Sequence, residues 1–407
     1  MSDRRKWTIA FVLVLFVVSA GLAGEIPQAK PEAVGMSSAK LAKVSQAVGK
    51  MVEDKKVAGA ITIVARKGKI VHFETYGMRD IESKKPVEKD TIMRFYSMTK
   101  PITTVAAMIL FDQGKFKLDD PLEKYLPELK GLKVQNGEKT SEPKRKVTIR
   151  DIMRHSSGFT YGLFGNTRID QMYRKANILG SRNLKEMVTK LGKIPLRFEP
   201  GSRWHYSVSS DVLGALVERV SGMGLDAFFK KHIFTPLDMR DTGFSVPKGS
   251  VERFSSCYRP QMRVEDKYST SHYTRRPRGM LSGGGGLVST ARDYMRFCQM
   301  LAGKGQLQGK RILKARTVEM MTANHLPDGM TTFRGGGVGF GLGFSVQIKD
   351  RGAAAHAGEY GWGGAASTHF WISPKDDLVV IALSQYKPFS SKLKQLVKPL
   401  VYQAIVK

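Results

Sequence analysis

The sequence predicts an α+β fold in which an antiparallel sheet, flanked by terminal helices, carries a mostly helical inserted subdomain. Three observations support this fold class. Strand-like runs lie near both ends of the chain, amphipathic helices open and close it, and helical periodicity dominates its middle. We expect the sheet subdomain to cover about 30–96 and 290–407, and the helical subdomain about 97–289.

The first segment of the chain has the features of a secretory signal peptide over residues 1–23. Arg4, Arg5 and Lys6 precede an apolar run over 9–18, which small residues follow. This run is too short to span a bilayer comfortably, and a retained anchor is the alternative. We expect a periplasmic or secreted protein with one mature domain over 25–407 and no transmembrane segment after signal removal.

Composition excludes the disordered and fibrous classes of protein. Hydrophobic residues make up 42% of the 407 residues and charged residues 25%, as in ordinary globular proteins. The formal net charge of +30 favours adhesion to acidic envelope polymers. Basic residues are scattered and no nucleic-acid motif occurs, so we expect no nucleic-acid partner. Only Cys257 and Cys298 occur, which leaves a single bridge open and excludes a disulfide framework.

The N-terminal elements are a helix and a hairpin. Apolar residues recur at helical spacing over 38–55. Two β-rich runs, 60–65 and 70–77, flank a Lys-Gly-Lys turn. This pattern predicts an amphipathic helix that packs on a β-hairpin.

The C-terminal part mirrors this arrangement. The segments 343–348, 368–372 and 378–384 are predicted as antiparallel strands separated by turn residues. A last helix carries an apolar face between Leu393 and Ile405. We therefore expect the strands of the two ends to form one sheet covered by the terminal helices.

The middle of the chain is predominantly helical in pattern. Residues 148–151 resemble a capping box, and 211–220 and 291–301 show helical apolar spacing. Four consecutive glycines over 283–286 predict a turn with a permissive backbone.

Several chemistries lack their sequence motifs. No His-Glu-x-x-His arrangement and no Gly-x-Gly-x-x-Gly turn after a strand occur, so we expect no metal and no cofactor. The Gly-x-Ser-x-Gly pattern is also missing, which argues against an α/β-hydrolase. A Ser-Lys system is the remaining candidate for catalysis.

The motif Ser-x-x-Lys is weak by itself because the chain contains six instances. They begin at Ser37, Ser97, Ser141, Ser245, Ser384 and Ser391. Ser97 alone follows an apolar and aromatic approach, Met93, Phe95 and Tyr96, and precedes an apolar helix. Context therefore selects Ser97.

A helix that starts at Ser97 places Lys100 one turn later on the same face. A buried amine beside a hydroxyl can accept its proton and so activate it as a nucleophile. The alternative is that Ser97 only caps the helix and that Lys100 is solvated. The four residues 97–100 alone do not exclude this alternative.

Three further segments resemble a known family. In order, residues 148–158, 199–207 and 283–293 are similar to motifs of the serine β-lactamase-related family. The resemblance covers roughly residues 32–405 and is closest to class C β-lactamases and family VIII carboxylesterases. It implies a β-lactamase/transpeptidase-like fold of the penicillin-binding-protein type, and a serine hydrolase.

The resemblance also implies roles for individual residues. Tyr206 opens the Tyr-x-x motif and is expected to complete a catalytic set with Ser97 and Lys100. The family has a third motif on a strand of the sheet. In this chain it corresponds either to 362–364, Trp-Gly-Gly, or to 356–358, His-Ala-Gly, and the spacing to residues 373–374 favours the first. The backbone N–H groups of Ser97 and Ala365 would then form the oxyanion hole. The expected substrate-binding residues are Tyr96, Val208, His356, Trp362, Gly363 and Gly364.

Two departures from the family pattern bear on the substrate. Class C β-lactamases carry Asn and Lys where this chain has Val208 and Trp362, so recognition of an anionic lactam is weakened. The prediction is an esterase acting through acyl-Ser97. One alternative is an amide hydrolase of the same fold, such as a β-lactamase, a D-Ala-D-Ala-type peptidase or a small amide-oligomer hydrolase. Another is a non-catalytic envelope-binding protein.

Overall fold

The computed structural model describes residues 24–275, 279–352 and 354–406. The predicted signal peptide over 1–23 lies outside the described residues. Within the described ranges, one eight-stranded antiparallel sheet forms the centre of the molecule. No helix in these ranges is long and apolar enough to cross a membrane.

Strands from both ends of the chain build this sheet, and shorter strands pair elsewhere. The strands are β1 (Gly59–Arg66), β2 (Lys69–Asp80), β3 (Lys85–Pro86), β4 (Met93–Arg94), β5 (Val134–Asn136), β6 (Lys139–Ser141), β7 (Cys257–Arg259), β8 (Arg263–Asp266), β9 (Val288–Ser289), β10 (Gln306–Leu307), β11 (Lys310–Arg311), β12 (Val338–Phe340), β13 (Ser345–Gln347), β14 (Tyr360–Gly364), β15 (Thr368–Ser373) and β16 (Leu378–Ser384). The order of the strands in the eight-stranded sheet is β12-β13-β14-β15-β16-β1-β2-β3. Pairing of β1 with β16, in which Ile63 lies opposite Ile381, joins the two ends of the chain.

Helices cover the sheet and fill the middle of the chain. They are α1 (Ser38–Glu53), α2 (Thr99–Asp112), α3 (Ile149–Met153), α4 (Arg168–Lys175), α5 (Leu184–Leu191), α6 (Ser209–Ser221), α7 (Leu225–Phe229), α8 (Ala291–Ala302), α9 (Ala315–Thr322) and α10 (Lys392–Gln403). The predicted capping box is present, with the Thr148 side chain accepting from the Asp151 N–H.

Both faces of the sheet are apolar, because helices lie on each side. On one face Ala60 and Val64 pack with Val44 of α1 and Val397 of α10. On the other face alternate residues of β1 and β16 join the core that contains α2 and α8. The strands consequently read as continuous buried runs, as β1 does over seven successive positions.

The fold class is confirmed, and the predicted elements agree with the structure to within a few residues. The hairpin, the last three predicted strands and both terminal helices are present. The short β12 was missed, since its three residues carry no alternation that sequence can detect. Cys257 and Cys298 are both buried and free, so the open question of a bridge is answered in the negative.

Candidate active site

The candidate nucleophile lies in a tight turn that enters α2. Tyr96–Met98 forms a 3-10 turn in which Tyr96 has a left-handed backbone, with φ 43°. A bulky residue adopts this conformation only where its surroundings enforce it. The Phe95 N–H donates to the Leu287 carbonyl at 3.0 Å, and the Tyr294 hydroxyl donates to the Met98 carbonyl at 2.9 Å. Ser97 is half-buried in this fixed turn.

Lys100 sits one turn further and faces Ser97. Its Nζ lies 3.3 Å from the Ser97 Oγ and donates to the Gly284 carbonyl at 2.5 Å. The side chain is only 2% exposed, so the solvated-lysine alternative does not describe it. The same Nζ lies 4.7 Å from the ring centre of Tyr206 and 5.4 Å from that of Tyr161. Two electron-rich rings therefore surround the amine.

A buried carboxylate supports this amine through the glycine segment. The Asp211 Oδ1 accepts from the Gly284 N–H at 3.0 Å and from the Ser282 hydroxyl at 2.5 Å. Burial raises the pKa of Asp211, and the nearby Lys100 opposes this rise. Asp211 thus fixes Gly284, whose carbonyl in turn fixes Lys100.

The glycines over 283–286 were predicted to provide a permissive backbone, but the structure uses them for another reason. None of the glycines over 283–286 has a positive φ, so the chain does not use their left-handed freedom. A Cβ at Gly284 would lie 2.5 Å from the Asp211 Oδ2, and one at Gly283 would lie 2.7 Å from the Ser210 carbonyl oxygen. These glycines are required for close approach of the segment to α6.

Tyr206 lies in the loop before α6 and completes the group. The hydroxyl of Tyr206 is buried and has no hydrogen-bond partner among the described residues. A buried polar group without a partner is uncommon, and such groups concentrate where a substrate or transferred proton completes the bonding. Burial and the neighbouring Tyr206 raise the pKa of the Tyr161 phenol.

His155 packs beside Tyr206 but carries no charge. Its ring centre lies 4.9 Å from that of Tyr206, and its Nδ1 lies 3.4 Å from the Ser207 hydroxyl oxygen. Burial, reinforced by the charge of Lys100, holds the pKa of His155 well below its usual range. The neutral imidazole packs here as part of the aromatic wall around Tyr206.

Strand β14 borders the nucleophile's turn. A Cβ at Gly364 would collide with the Phe95 carbonyl oxygen, so only glycine permits this approach. The Trp362 ring lies 5.6 Å from that of Tyr206 and 5.3 Å from that of Phe340. The end of β14, which Ala365 follows, therefore lies next to the turn that contains Ser97.

Two of the expected substrate-binding residues do not reach this site. Val208 is fully buried in the core at the start of α6, because its backbone caps that helix and its side chain packs inward. His356 pairs with Asp376, with Nδ1 and Oδ2 2.7 Å apart, and packs against Tyr402 of α10. The His-Ala-Gly alternative for the third motif is thereby set aside in favour of Trp362.

The structure also places residues at the site that the sequence did not indicate. Tyr161, Asp211 and Arg334 lie around Lys100 and Tyr206, with the Arg334 guanidinium 4.9 Å from the Trp362 ring centre. Asp211 carried a detectable signal, since it is an acidic residue at the start of an apolar helix. Nothing in the sequence around Arg334 indicates this contact.

Comparison with known proteins assigns the chain to a family. The sequence profile of the Beta-lactamase family matches residues 44–397. The chain belongs to this family. It is 34% identical over 351 residues to an uncharacterized protein of Mycobacterium tuberculosis, covering 82% of this chain and 86% of that protein. It is 31% identical over 401 residues to esterase EstB of Burkholderia gladioli, covering 91% of this chain and 98% of that esterase.

Solved structures extend the similarity to the fold. The structure titled EstCE1, a hydrolase with promiscuous acyltransferase activity, superposes with a TM-score of 0.78 at 26% identity, covering 89% of this chain and 98% of that one. The expected family, related to family VIII esterases, is confirmed. This member of the Beta-lactamase family is a serine hydrolase, and its relatives include an esterase and a hydrolase with acyltransferase activity.

Proposed function

We propose that this family member hydrolyses carboxylic esters through an acyl-Ser97 intermediate, with Lys100 and Tyr206 moving the proton. The observation that carries the proposal is the 3.3 Å contact between the buried Lys100 Nζ and the half-buried Ser97 Oγ. The Tyr206 ring lies 4.7 Å from the same amine, and its buried hydroxyl, which has no hydrogen-bond partner in the part of the chain that the structure describes, is the proposed second proton carrier.

The geometry supports a two-step reaction. The Ser97 Oγ attacks the ester carbonyl carbon as its proton passes to the Lys100 and Tyr206 pair. The N–H groups of Ser97 and Ala365 receive the oxyanion, and the bond to the leaving oxygen breaks as Tyr206 returns the proton. Water then attacks the acyl-Ser97 carbonyl by the same route in reverse, releasing the acid and restoring the Ser97 hydroxyl.

The mouth of the site supports an ester with an apolar portion. Phe164 and Phe333 are 75% and 67% exposed, and they pack against Tyr206 and Trp204, respectively. Exposed apolar side chains beside a catalytic group favour ligands with an apolar surface. The absence of a lysine at position 362 weighs against a β-lactam substrate.

The test uses the full mature chain and its Ser97→Ala variant. We expect p-nitrophenyl butyrate turnover and fluorophosphonate labelling in the wild type, and neither in Ser97→Ala. Turnover of a chromogenic cephalosporin without ester turnover would instead favour the lactamase alternative. Labelling that persists in Ser97→Ala would remove Ser97 from the mechanism, and no labelling in either protein would favour the binding-protein alternative.

Acyl transfer to an alcohol is a second candidate activity. The structural relative described as a hydrolase with promiscuous acyltransferase activity supports it. With p-nitrophenyl butyrate in the presence of butanol, we expect butyl butyrate beside butyrate. Butyrate alone at every alcohol concentration would restrict the activity to hydrolysis.

Export is the corresponding proposal for location. The apolar run over 9–18 after three basic residues supports it, and the net charge of +30 supports retention on acidic envelope polymers. Fractionation of cells that express the full chain should place a shortened protein outside the cytoplasm. A protein of full length in the cytoplasm would contradict this.

A further inference from the structure

The loop over 162–166 carries two neighbouring apolar side chains that are exposed. Leu163 is 60% exposed, and Phe164 is exposed to a still larger extent. The Phe164 ring lies 6.5 Å from that of Tyr206, between ring centres, so the loop borders the candidate active site. Large apolar side chains that are exposed together mark a site of interaction, whereas single ones are ordinary surface. This pair is therefore a candidate contact surface.

The backbone of this loop is fixed against α4. The Arg174 guanidinium donates to the Gly162 carbonyl at 2.6 Å and to the Gly165 carbonyl at 3.0 Å. A Cβ at Gly162 would lie 2.7 Å from the Tyr173 Cβ, and one at Gly165 would lie 2.6 Å from the Asp170 Oδ2. The two glycines thus permit the loop to approach the helix, and the side chains between them extend into solvent.

Phe333 adds a third exposed apolar side chain near the same aromatic cluster. Its ring lies 5.3 Å from that of Trp204, which in turn stacks on Tyr206 at 6.1 Å. We call Leu163, Phe164 and Phe333 the apolar rim. Two of its three members lie within one aromatic contact of Tyr206 or of its stacking partner.

The stretch 163–185 surrounds the loop with positive charge. Its sole acidic residue, Asp170, is fully buried. In the part of the chain that the structure describes, Arg182 alone among its basic residues forms an ion pair, with Glu186. The adjoining β5–β6 hairpin adds Glu138 and Lys139, both exposed, whose charges cancel. The basic residues of the stretch are all exposed: Arg168, Arg174, Lys175, Arg182 and Lys185.

An anionic lipid surface matches this combination. Apolar side chains that extend from a fixed loop enter the headgroup region of a bilayer, and neighbouring Arg and Lys side chains attract anionic headgroups. A protein partner fits less well, because the buried core of a protein interface is closely packed and depleted of charged residues. We infer that the apolar rim and the basic residues of 163–185 dock this protein on an anionic lipid surface.

Docking in this orientation places the lipid boundary next to Tyr206. An ester dissolved in the bilayer would then reach the candidate active site without crossing bulk water. This consequence alone rests on the proposed ester hydrolysis, whereas the docking itself requires no catalysis.

The experiment measures co-flotation of the mature chain with phosphatidylcholine vesicles, with and without phosphatidylglycerol. We expect binding to be about tenfold or more tighter with phosphatidylglycerol, and to weaken as salt is added. Leu163→Ser/Phe164→Ser should weaken binding by about tenfold or more, because two apolar side chains no longer enter the lipid. Arg168→Gln/Lys175→Gln should weaken it by about fivefold for each charge removed.

Matched controls lie beside α1 and α10, on the sheet face opposite α2. Lys40→Gln/Lys43→Gln removes two exposed charges from α1. Phe389→Ser removes an exposed phenylalanine from the loop before α10. Both controls should bind as the wild type does, and Tm verifies folding of every variant. Equal losses in the rim variants and the controls, or no binding to either vesicle, would overturn the inference.

A second measurement distinguishes insertion into lipid from attachment to any anionic surface. Brominated phosphatidylcholine in the vesicles should quench the fluorescence of Phe164→Trp beyond that of the wild type, and the control Phe389→Trp should show no such increase. If Phe164→Trp is not quenched, the inference is overturned, and tight polyglutamate binding would then assign the surface to an acidic polymer. Ser97→Ala should bind vesicles as the wild type does, so the docking is tested separately from ester hydrolysis.

Discussion

Two glycine-bearing segments pack against the turn that carries Ser97, and they need their glycines for different partners. At Gly284 the missing Cβ admits a buried carboxylate, so that this residue can bind both Asp211 and Lys100. At Gly364 the missing Cβ admits the carbonyl of Phe95, next to the nucleophile itself. The first segment serves the proton carrier, whereas the second serves the proposed oxyanion hole. Substitutions in the two segments should therefore lower kcat by different amounts.

The largest effect is expected at β14. Gly364→Ala should lower kcat by about 10²–10³-fold, because displacing the strand end removes one oxyanion donor. The measurement is kcat on p-nitrophenyl butyrate, with Tm to verify folding. Gly49→Ala is the matched control, since nothing lies within 4 Å of its added Cβ on α1. Activity of Gly364→Ala close to wild type would show that β14 does not form the oxyanion site.

The next largest effect is expected at Asp211, the carboxylate that contacts Gly284. Asp211→Asn should lower kcat by roughly tenfold to a hundredfold with little change in KM, because a charge-assisted contact that positions Lys100 is lost. Asp328→Asn, an exposed carboxylate without such contacts, is the control. A change in KM with an unaltered kcat would place Asp211 outside the positioning of Lys100.

Within the first segment, neighbouring glycines should differ. A Cβ at Gly284 meets the Asp211 Oδ2 at 2.5 Å, but at Gly285 the nearest atom is the Tyr96 carbonyl carbon at 3.7 Å. Gly284→Ala is expected to cost about tenfold in kcat, and Gly285→Ala about twofold or less, since ordinary van der Waals contact requires no movement. Equal losses in the two variants would contradict a specific role for Gly284.

The smallest effect is a pH dependence of stability. Because burial raises the pKa of Asp211, the folded state holds its proton over a range where the unfolded chain has released it. The free energy of unfolding should therefore fall as pH rises above about 4, until Asp211 ionises in the folded state as well, and Asp211→Asn should lack this contribution. Urea denaturation across that range provides the measurement. Parallel pH profiles for the two proteins would show that Asp211 titrates normally.

Local spacing made part of the site predictable. Ser97 and Lys100 are three residues apart, so a helical backbone alone brings them together, and the terminal strands followed from their own turn signals. The contact between Asp211 and Gly284 spans 73 residues and depends on how α6 packs, which no local pattern encodes. The same applies to Arg334 on Trp362. The burial of Val208 was not predictable, because a motif position does not reveal which way a side chain points.

The two free cysteines have a practical consequence. Cys257 and Cys298 are completely buried, and burial raises the pKa of the Cys257 thiol to about 11. Neither thiol is available to an alkylating reagent while the chain is folded, and folding needs no oxidant. The protein can therefore be produced in a reducing cytosol, and the rate at which iodoacetamide modifies it reports how often the structure around β7 and α8 opens.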